Sequence, residues 1–454
     1  MTTTSKIPYR RRKRRQVAVF VVLWVALTLV MGACTFVAIY FASGEINLPA
    51  LQAAAPTATR LQATATLLPT IPPATATPTV VTDIPAEPTD VPATPTLLPR
   101  EDTRFGYGIQ VQENYDLQDY WYELVAKRLG LNWVKQQVRW EVFEPEKGQI
   151  DFSVLDLVVP AAGKQGLKLM LSVVAAPDWA RPPGADLSEE VGGPPADFQD
   201  LANFLTAILE RYPGQVHAIE VWNEQNLDRE WSDPQGLSAA RYVEMLGVAE
   251  RAIHAVDPGV IVISGALSPT GVNTARAMDD FRYFDQLIAA GLLNYADCVG
   301  AHHNGINIPP DAVWDDPRTM GPQATYFTGP WTNLNHSWSF RSTLEYYYNA
   351  IVAAGGAQRL CVTEFGWATV EDLDGYPAGF EFARDNTLRE QADWIVQAFE
   401  WLSDWEGAWI AFLWNLNYGP QSGDPKNDNV PYSILSINGS PRPAFDALAV
   451  MPKD

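Results

Sequence analysis

Beyond residue 104 the chain alternates between short apolar runs and longer amphipathic segments. Tyr242, Met245, Ala249 and Ile253 recur at spacings of three or four behind Ser238, a residue typical of helix N-caps, and predict one of the helices. Similar apolar faces occur in 198–209, 281–288 and 390–402. The short apolar runs predict eight strands: Phe105–Val111, Trp133–Trp140, Leu167–Ala175, Ala218–Asn223, Val260–Leu267, Cys298–His302, Leu360–Phe365 and Trp409–Leu416.

Eight strand and helix units in one stretch of chain favour an α/β fold, a (β/α)8 TIM barrel over residues 101–454. A doubly wound sheet usually has fewer strands and a glycine-rich phosphate turn, and neither GxGxxG nor GxxxxGK[ST] occurs in the chain. In barrels of this type the reactive groups lie at the carboxyl-terminal ends of the strands. The residues that follow the predicted strands are therefore the candidates for chemistry.

The amino-terminal part has a different pattern. Residues 1–16 carry seven positive charges and no acid, and Val17–Ala42 is almost unbroken apolar sequence. A run of about 25 apolar residues is long enough to cross a bilayer, and the basic residues before it would stay in the cytoplasm. Met31-Gly32-Ala33-Cys34 also resembles a lipobox that would be cleaved before a lipidated Cys34. Because the apolar run continues after the cysteine, we favour an uncleaved transmembrane anchor at 17–42 behind a basic cytoplasmic tail.

Residues 43–100 are rich in proline, threonine and alanine, a composition that cannot bury a core and that favours extended chain. We expect a disordered linker there, which holds an extracellular domain away from the membrane. The net charge is −21 for the whole chain, and removal of the seven positive charges of the tail leaves −21 − 7 = −28 for the remainder. This acidity argues against a nucleic-acid partner.

Only three cysteines occur, Cys34, Cys298 and Cys361. Strict alternation along the predicted strands places Cys298 on the same face as His302 and Cys361 on the face opposite to Glu364. We therefore expect two free thiols in the outer domain, with their sulfurs turned to different sides of the sheet.

Two carboxylates stand at the ends of different strands, Glu224 after the fourth and Glu364 in the seventh. Cleavage of a glycosidic bond needs such a pair, one protonated as an acid and one ionised. Amides, imidazoles and indoles suit the sugar hydroxyls and ring faces. Residues of these types and one arginine stand at the ends of the other strands or beside Glu224: Arg139, Trp179, Asn223, His302 and Trp414.

"IEVWNEQNL" (219–227) and "VTEFGW" (362–367) resemble the strand-four and strand-seven signatures of the retaining glycoside hydrolases of clan A. The likeness is greatest to glycoside hydrolase family 39, the β-xylosidase and α-iduronidase family, with family 5 cellulase-like enzymes as close alternatives. "VRWEVFEPEKGQIDF" (138–152) resembles the segment after strand two in several families of the clan, where an arginine lies near the nucleophile. The predicted activity is hydrolysis of β-linked glycans or glycosides at a cell surface, and no cofactor is implied.

The resemblance implies a role for each candidate. Glu224 would be the general acid/base and Glu364 the nucleophile, with Asn223 on the sugar 2-hydroxyl. Arg139 and His302 would support the site, and Trp414 or Trp179 would stack on sugar rings. We expect Glu224 to keep its proton near neutral pH while Glu364 is charged.

Two positions depart from the family pattern. Gln225 stands where a proline commonly follows the acid/base, and Asn304 stands where many relatives have a tyrosine that holds the nucleophile.

Three further interpretations remain open from the sequence. A non-catalytic carbohydrate-binding surface protein on the same scaffold would also suit an anchor and a linker, although it has no need of both glutamates. A metal-dependent hydrolase would use the His302-His303 pair, for which no third ligand stands at metal-site spacing. Long segments at 178–196, 305–340 and 368–386 are typical of functional loops, and the second carries Trp314, Trp331 and Trp338, which suggests glycan subsites.

Overall fold

A computed structural model describes residues 104–112, 117–188, 191–315 and 335–453. Eight parallel strands are hydrogen-bonded in the order β5-β4-β3-β2-β1-β8-β7-β6. The two outermost strands meet through a parallel bridge between Ile263 and Cys298, which makes a nearly closed barrel and confirms the predicted (β/α)8 fold. The strands are β1 Gly106–Gln110, β2 Trp133–Arg139, β3 Lys168–Val174, β4 Ala218–Val221, β5 Ile261–Ser264, β6 Val299–Gly305, β7 Leu360–Trp367 and β8 Ala408–Leu413.

Helices alternate with these strands. Ser238 caps the longest helix by accepting from the Arg241 N–H, and Thr387 with Glu390 forms a capping box at another. The α-helices are α1 Gln118–Glu123, α2 Trp140–Phe143, α3 Leu155–Lys164, α4 Phe198–Arg211, α5 Ala239–Val256, α6 Asp280–Ala289, α7 Phe340–Ala353, α8 Leu388–Asp404, α9 Tyr418–Ser422 and α10 Pro443–Val450. A π-helix spans Leu124–Leu129, and 3₁₀ turns span Asp178–Ala180, Leu292–Asn294, His336–Trp338, Glu381–Arg384 and Val430–Tyr432.

The barrel interior has an apolar layer with charged residues above it. Lys135 follows Trp133 by two positions in β2, and Glu220 follows Ala218 by two in β4, so each charge stands above an apolar neighbour on the same face. Both charged side chains are fully buried. The charged layer thus lies between the apolar layer and the carboxyl-terminal mouth of the barrel. The apolar layer consists of Trp133, Met170, Ala218, Ile261, Ile263, Cys298, Cys361, Trp409, Ile410 and Phe412.

The predicted basic tail (1–16), anchor (17–42) and linker (43–100) lie outside the described residues. Among the helices that the structure describes, none combines the length and the apolar character needed to cross a bilayer.

The prediction of free thiols is wrong, because Cys298 and Cys361 form a disulfide. Both residues are fully buried in the apolar layer. Cys361 therefore faces the barrel interior, whereas strict alternation had placed it toward the helices.

An extra residue in β7 explains this difference. Strand β6 pairs Ala301 with Val362 and the next residue, His302, with Glu364, which leaves Thr363 without a partner position. A bulge of one residue reverses the alternation beyond it. The cysteine of β7 and Glu364 consequently face the same side, and no sequence pattern in this strand indicates the bulge.

We expect no free thiol when a protein comprising residues 101–454 is denatured without reductant and titrated, and two thiols after reduction. The closed loop spans 63 residues, for which the chain-entropy account gives about 4 kcal/mol of stabilisation. Urea unfolding of the oxidised and reduced protein measures this difference. Cys298→Ala serves as the control, because reductant should not change its stability, and two titratable groups before reduction would contradict the pairing.

Candidate functional site

A sharp turn at the end of β4 presents Glu224 at the mouth of the barrel. Trp222 and Glu224 both have left-handed backbones, with φ of 82° and 43°, a conformation that is costly for residues with a side chain. The Trp222 N–H donates to the Val173 carbonyl at 3.0 Å and the Glu224 N–H donates to the Ala266 carbonyl at 2.8 Å. Strand β3 and the segment after β5 therefore hold the turn in place. The turn consists of Trp222, Asn223 and Glu224.

Both carboxylate oxygens of Glu224 have a basic partner. Arg229 Nη2 donates to Oε2 at 2.8 Å, and His302 Nδ1 lies 3.3 Å from Oε1. The Glu224 side chain is 11% exposed, that of His302 1% and that of Arg229 62%. The carboxylate is thus held on one side from inside the barrel and on the other from the solvent.

Glu364 is held from below by a buried lysine. Lys135 Nζ donates to Glu364 Oε1 at 2.8 Å and to the Thr363 carbonyl at 3.2 Å, and it lies 3.5 Å from Glu220 Oε2. Burial lowers the pKa of Lys135, but the attraction of Glu364 and Glu220 outweighs burial and leaves this pKa above its ordinary value. Lys135 is therefore a permanent cation beneath Glu364.

His302 links the two carboxylates. Its Nδ1 faces Glu224, and its Nε2 lies 3.9 Å from Glu364 Oε1 and 3.9 Å from Glu220 Oε1. Burial lowers the pKa of His302 and Lys135 repels a second charge, yet the three glutamates prevail and raise this pKa above its usual value. The imidazole is therefore biased toward the charged form, in which its Nδ1–H donates to Glu224.

The expectation of a protonated Glu224 is not met. Burial raises the pKa of Glu224, but the His302 hydrogen bond and the charge of Arg229 lower it to about 2. The pKa is raised instead at Glu230, to about 7, first by burial and then by the charge of Glu224. The mutual repulsion of two carboxylates favours a protonated Glu224, whereas the contacts with Arg229 and His302 favour its charged form.

Asn223 and Trp414 both lie beyond the carboxyl-terminal ends of their strands, Asn223 after β4 and Trp414 directly after β8. The Asn223 side chain is buried, and its Oδ1 has no hydrogen-bond partner among the described residues, so this oxygen is available to a ligand hydroxyl. The Trp414 ring lies 6.0 Å from Lys135 Nζ and 5.3 Å from the Tyr418 ring. An indole above the charged layer, next to a second aromatic ring, is a suitable surface for a sugar face.

Arg139 and Trp179 make other contacts than those implied by the family pattern. Arg139 donates to Glu141 at 2.6 Å and 2.8 Å, and the cation that contacts Glu364 is Lys135. Trp179 Nε1 donates to the Glu144 carbonyl at 2.8 Å. Arg139 is still close enough to Glu230 to lower its pKa, and both remain candidates for contacts at the rim.

The predicted loop aromatics have different surroundings. Trp338 is buried in a cluster with Trp414, Phe382 and Tyr432, so it supports the mouth from within. Trp314 is 38% exposed. Trp331 lies outside the described residues. Of the two tryptophans that the structure describes, Trp338 therefore belongs to the same apolar cluster as Trp414, and Trp314 is the one exposed to solvent.

His302 and His303 point to opposite faces of β6. His302 faces the carboxylates, whereas His303 Nε2 lies 3.0 Å from the Ser337 carbonyl, and burial lowers the pKa of His303 to about 4. Adjacent residues of a strand do not share a ligand sphere, so the pair does not form a metal site.

A separate group with the spacing of metal ligands consists of Asp279, Asp280 and His336. The Asp280 carboxylate already accepts from Ser337 Oγ at 2.7 Å and from Tyr347 at 2.9 Å, and His336 Nε2 lies 3.1 Å from Asp279. These hydrogen bonds and ion pairs connect α6, the 3₁₀ turn at 336–338 and α7.

The sequence interpretation missed four charged residues of the site. Glu220 does leave a signal, since a charge inside an otherwise apolar barrel strand needs a buried partner, whereas Lys135 stands beside Gln136 and Gln137 in β2 and is less conspicuous. Arg229 and Glu230 follow the β4 turn in an ordinary polar loop, and nothing in the sequence separates them from solvent-exposed charges.

Comparison with known proteins supports the resemblance that the motifs indicate. The β-galactosidase model of glycoside hydrolase family 42 matches residues 117–185. A family 39 glycoside hydrolase from Bacteroides cellulosilyticus WH2 superposes with a TM-score of 0.54 and 19% identity, over 77% of this chain and 63% of that one. This chain therefore covers less than two thirds of that protein.

Two further solved structures share the barrel. A monomeric β-xylosidase from Caulobacter crescentus CB15 has a TM-score of 0.51 and 17% identity, over 77% of this chain and 68% of that one. A xylanase from Paenibacillus barcinonensis has a TM-score of 0.51 and 15% identity, over 77% and 96%. Similarity at this level concerns the fold, and the predicted resemblance to clan A glycoside hydrolases, including family 39, is confirmed.

The buried lysine provides a test of this charge arrangement. Lys135→Met should lower the free energy of unfolding at pH 7 by about 3–5 kcal/mol, because Glu220 and Glu364 then lose their buried cation. Denaturant unfolding measures the loss. Lys164→Met, which removes an ion pair with both side chains about 60% exposed, is the matched control and should cost less than about 1 kcal/mol. Adding Glu220→Gln to Lys135→Met should recover part of the loss, and equal costs for the two lysines would contradict the arrangement.

Proposed function

We propose that this protein is a retaining glycoside hydrolase that cleaves β-linked glycans or glycosides by double displacement. Glu364 attacks the anomeric carbon while Glu224 protonates the leaving oxygen, and Glu224 then activates the water that releases the sugar from Glu364. The observation that carries this proposal is the placement of the two carboxylates against opposite nitrogens of one imidazole, His302, at the mouth of a clan A type barrel.

The contacts of Glu364 suit a nucleophile. Lys135 holds one of its oxygens at 2.8 Å, and the side chain is 9% exposed, so the group is oriented and nearly free of water. A charged hydrogen bond from below fixes the carboxylate while its other oxygen stays available. Lys135 and His302 together stand in for the tyrosine that the family pattern places at Asn304.

The surroundings of the carboxylates suit a sugar. Asn223 Oδ1 is the candidate partner of the 2-hydroxyl, and Trp414 with Tyr418 forms an aromatic surface next to Lys135. A β-xylosidase and a xylanase are among the solved structures with the same barrel, which makes β-xylosides the first substrates to test.

We further propose that residues 17–42 anchor the protein in the membrane and that the catalytic domain lies outside the cell. The disulfide between Cys298 and Cys361 supports an oxidising environment for the barrel, because such bonds are rare in the cytoplasm. The basic residues before the apolar run support the same orientation.

Azide rescue tests the roles of the two glutamates. Glu224→Ala should slow substrates with poor leaving groups about 100- to 10,000-fold and spare activated aryl glycosides, and azide should then give a glycosyl azide of retained configuration. Glu364→Ala should abolish turnover of both, and azide should give the inverted product. Glu210→Gln on α4, an exposed carboxyl, is the control. An inverted sugar as the first product, or binding of glycans without turnover by the unmodified protein, would contradict the proposal.

Fractionation tests the anchor. The full chain should stay with membranes after an alkaline wash, because a spanning helix is not removed by high pH, whereas residues 101–454 should be soluble and equally active. The amino terminus of the membrane-bound protein separates the two kinds of anchor, since lipoprotein processing would leave a lipidated Cys34 as the first residue, whereas an uncleaved anchor keeps residues 1–33. A soluble fragment that is folded but inactive on substrates of the full chain would show that the domain boundary is misplaced.

A further inference from the structure

Arg229 lies between two carboxyl groups at the barrel mouth. Its Nη2 donates to Glu224 Oε2 at 2.8 Å, and its Nε lies 3.8 Å from Glu230 Oε1. The Glu224 side chain is 11% exposed and the Glu230 side chain 21% exposed, so the arginine reaches inward from solvent to both. One guanidinium therefore faces two partly buried carboxyl groups.

The arrangement around Glu224 is that of a base. Its oxygens are engaged by Arg229 and His302, both of which donate. Because both donors favour the charged form, the group in this arrangement is a carboxylate, which can accept a proton from water but has none to give to a leaving group. The first step of double displacement needs the opposite form of the same residue.

The two donors on Glu224 differ in their freedom to move. His302 is 1% exposed, within the barrel, whereas the Arg229 side chain is 62% exposed. The backbone of the segment is fixed, since the Leu227 N–H donates to the Glu224 carbonyl at 2.9 Å and the Trp231 N–H donates to the Leu227 carbonyl at 2.9 Å. A change of partner is therefore a rotation of the arginine side chain alone.

We propose that Arg229 is a positioning residue that decides which of two carboxyl groups, Glu224 or Glu230, carries the acid proton of the site. With the guanidinium on Glu224, Glu224 is a carboxylate and Glu230 holds the proton. When a leaving group fills the space beside Glu224, the guanidinium shifts to Glu230, Glu230 releases its proton and Glu224 takes one up. The net charge of the three groups does not change.

The pKa values agree with this division. That of Glu224 is lowered to about 2 by His302 and Arg229 against the effect of burial, and that of Glu230 is raised to about 7 by burial and by Glu224. Other charges face the same groups from every side. The groups at the barrel mouth are Arg139 of β2, His302 of β6 and Glu364 of β7. Lys135 and Glu220 lie below them, in the charged layer. The segment after β8 contributes Asp428 and Tyr432.

This inference rests on the proposed function, and it assigns Arg229 to both steps. In the first, Glu224 gives its proton to the leaving oxygen as the glycosidic bond breaks and Glu364 bonds to the anomeric carbon. After the leaving group departs, Arg229 returns to Glu224. Glu224 then accepts a proton from water as the water oxygen displaces Glu364, and that proton passes to Glu230 by way of solvent.

The direct test is ¹³C NMR titration of the glutamate side-chain carboxyls in the whole protein, with the signals assigned by Glu224→Gln and Glu230→Gln. In Arg229→Gln the midpoint of Glu224 should rise by about one pH unit or more, a tenfold or larger gain in proton affinity. Arg229→Lys keeps the cation and should stay near the original midpoint. Arg276→Gln is the matched control, because Arg276 is 85% exposed and pairs with Asp228 in the adjoining loop.

Kinetics provide the second readout. The alkaline limb of kcat/KM for substrates with poor leaving groups should move to higher pH in Arg229→Gln, since Glu224 then keeps its proton longer. Glu230→Gln removes the carboxylate to which the arginine would shift, so kcat for these substrates at pH 7 should fall about tenfold or more, one unit of proton affinity, while activated aryl glycosides keep their rate.

An unchanged Glu224 midpoint in Arg229→Gln, or an equal shift in Arg276→Gln, would overturn the inference. A wild-type protein that cleaves no glycoside would contradict the proposed function instead, and the NMR titration would still decide where the proton resides.

Discussion

The contact between Lys135 and Glu364 is the interaction on which the site depends. Lys135 is completely buried in the barrel, 2.8 Å from Glu364 and 3.5 Å from Glu220. A single charge in such a place is costly, and it is tolerated because partners of opposite sign surround it. The lysine in turn fixes the Glu364 carboxylate at the mouth. His302, which lies between Glu364 and Glu224, is placed relative to that carboxylate.

The apolar layer lies beneath Lys135, Glu220 and Glu364 and helps to keep these charged residues in place. The disulfide of Cys298 and Cys361 joins β6 to β7 within that layer, and the Thr363 bulge of β7 comes directly above it. The bulge turns Glu364 inward, and Thr363 also contributes, because its hydroxyl donates to Glu220 at 2.5 Å. One irregular residue therefore both aims the carboxylate and adds to the support of the charged layer.

The two carboxylates have supports of different mobility. Glu364 is bound to a buried lysine, while Glu224 is bound to a buried histidine on one side and to an exposed arginine on the other. A nucleophile keeps one charge state until it bonds to carbon, whereas an acid/base has to gain and lose a proton in each cycle. The fixed support and the movable support match the roles that we propose for Glu364 and Glu224.

The sequence alone determined the barrel, because eight apolar runs of strand length alternate with amphipathic helices, and the turn chemistry after β4 gave Asn223 and Glu224 their place. It also made Glu364 a candidate, since both carboxylates stand at strand ends, where the reactive groups of such barrels lie. These features are local, so periodicity and motifs report them.

The tertiary structure decided the charge state of Glu224 and which residues support the two carboxylates. Strict alternation assigned Cys361 to the wrong face because a bulge depends on pairing with β6 and β8, not on the composition of β7. The pKa of Glu224 is lowered by His302 and by Arg229, and Arg229 is a loop residue whose contact with Glu224 is made only in the folded barrel. Electrostatic effects fall off with distance in space, and the sequence order does not give those distances.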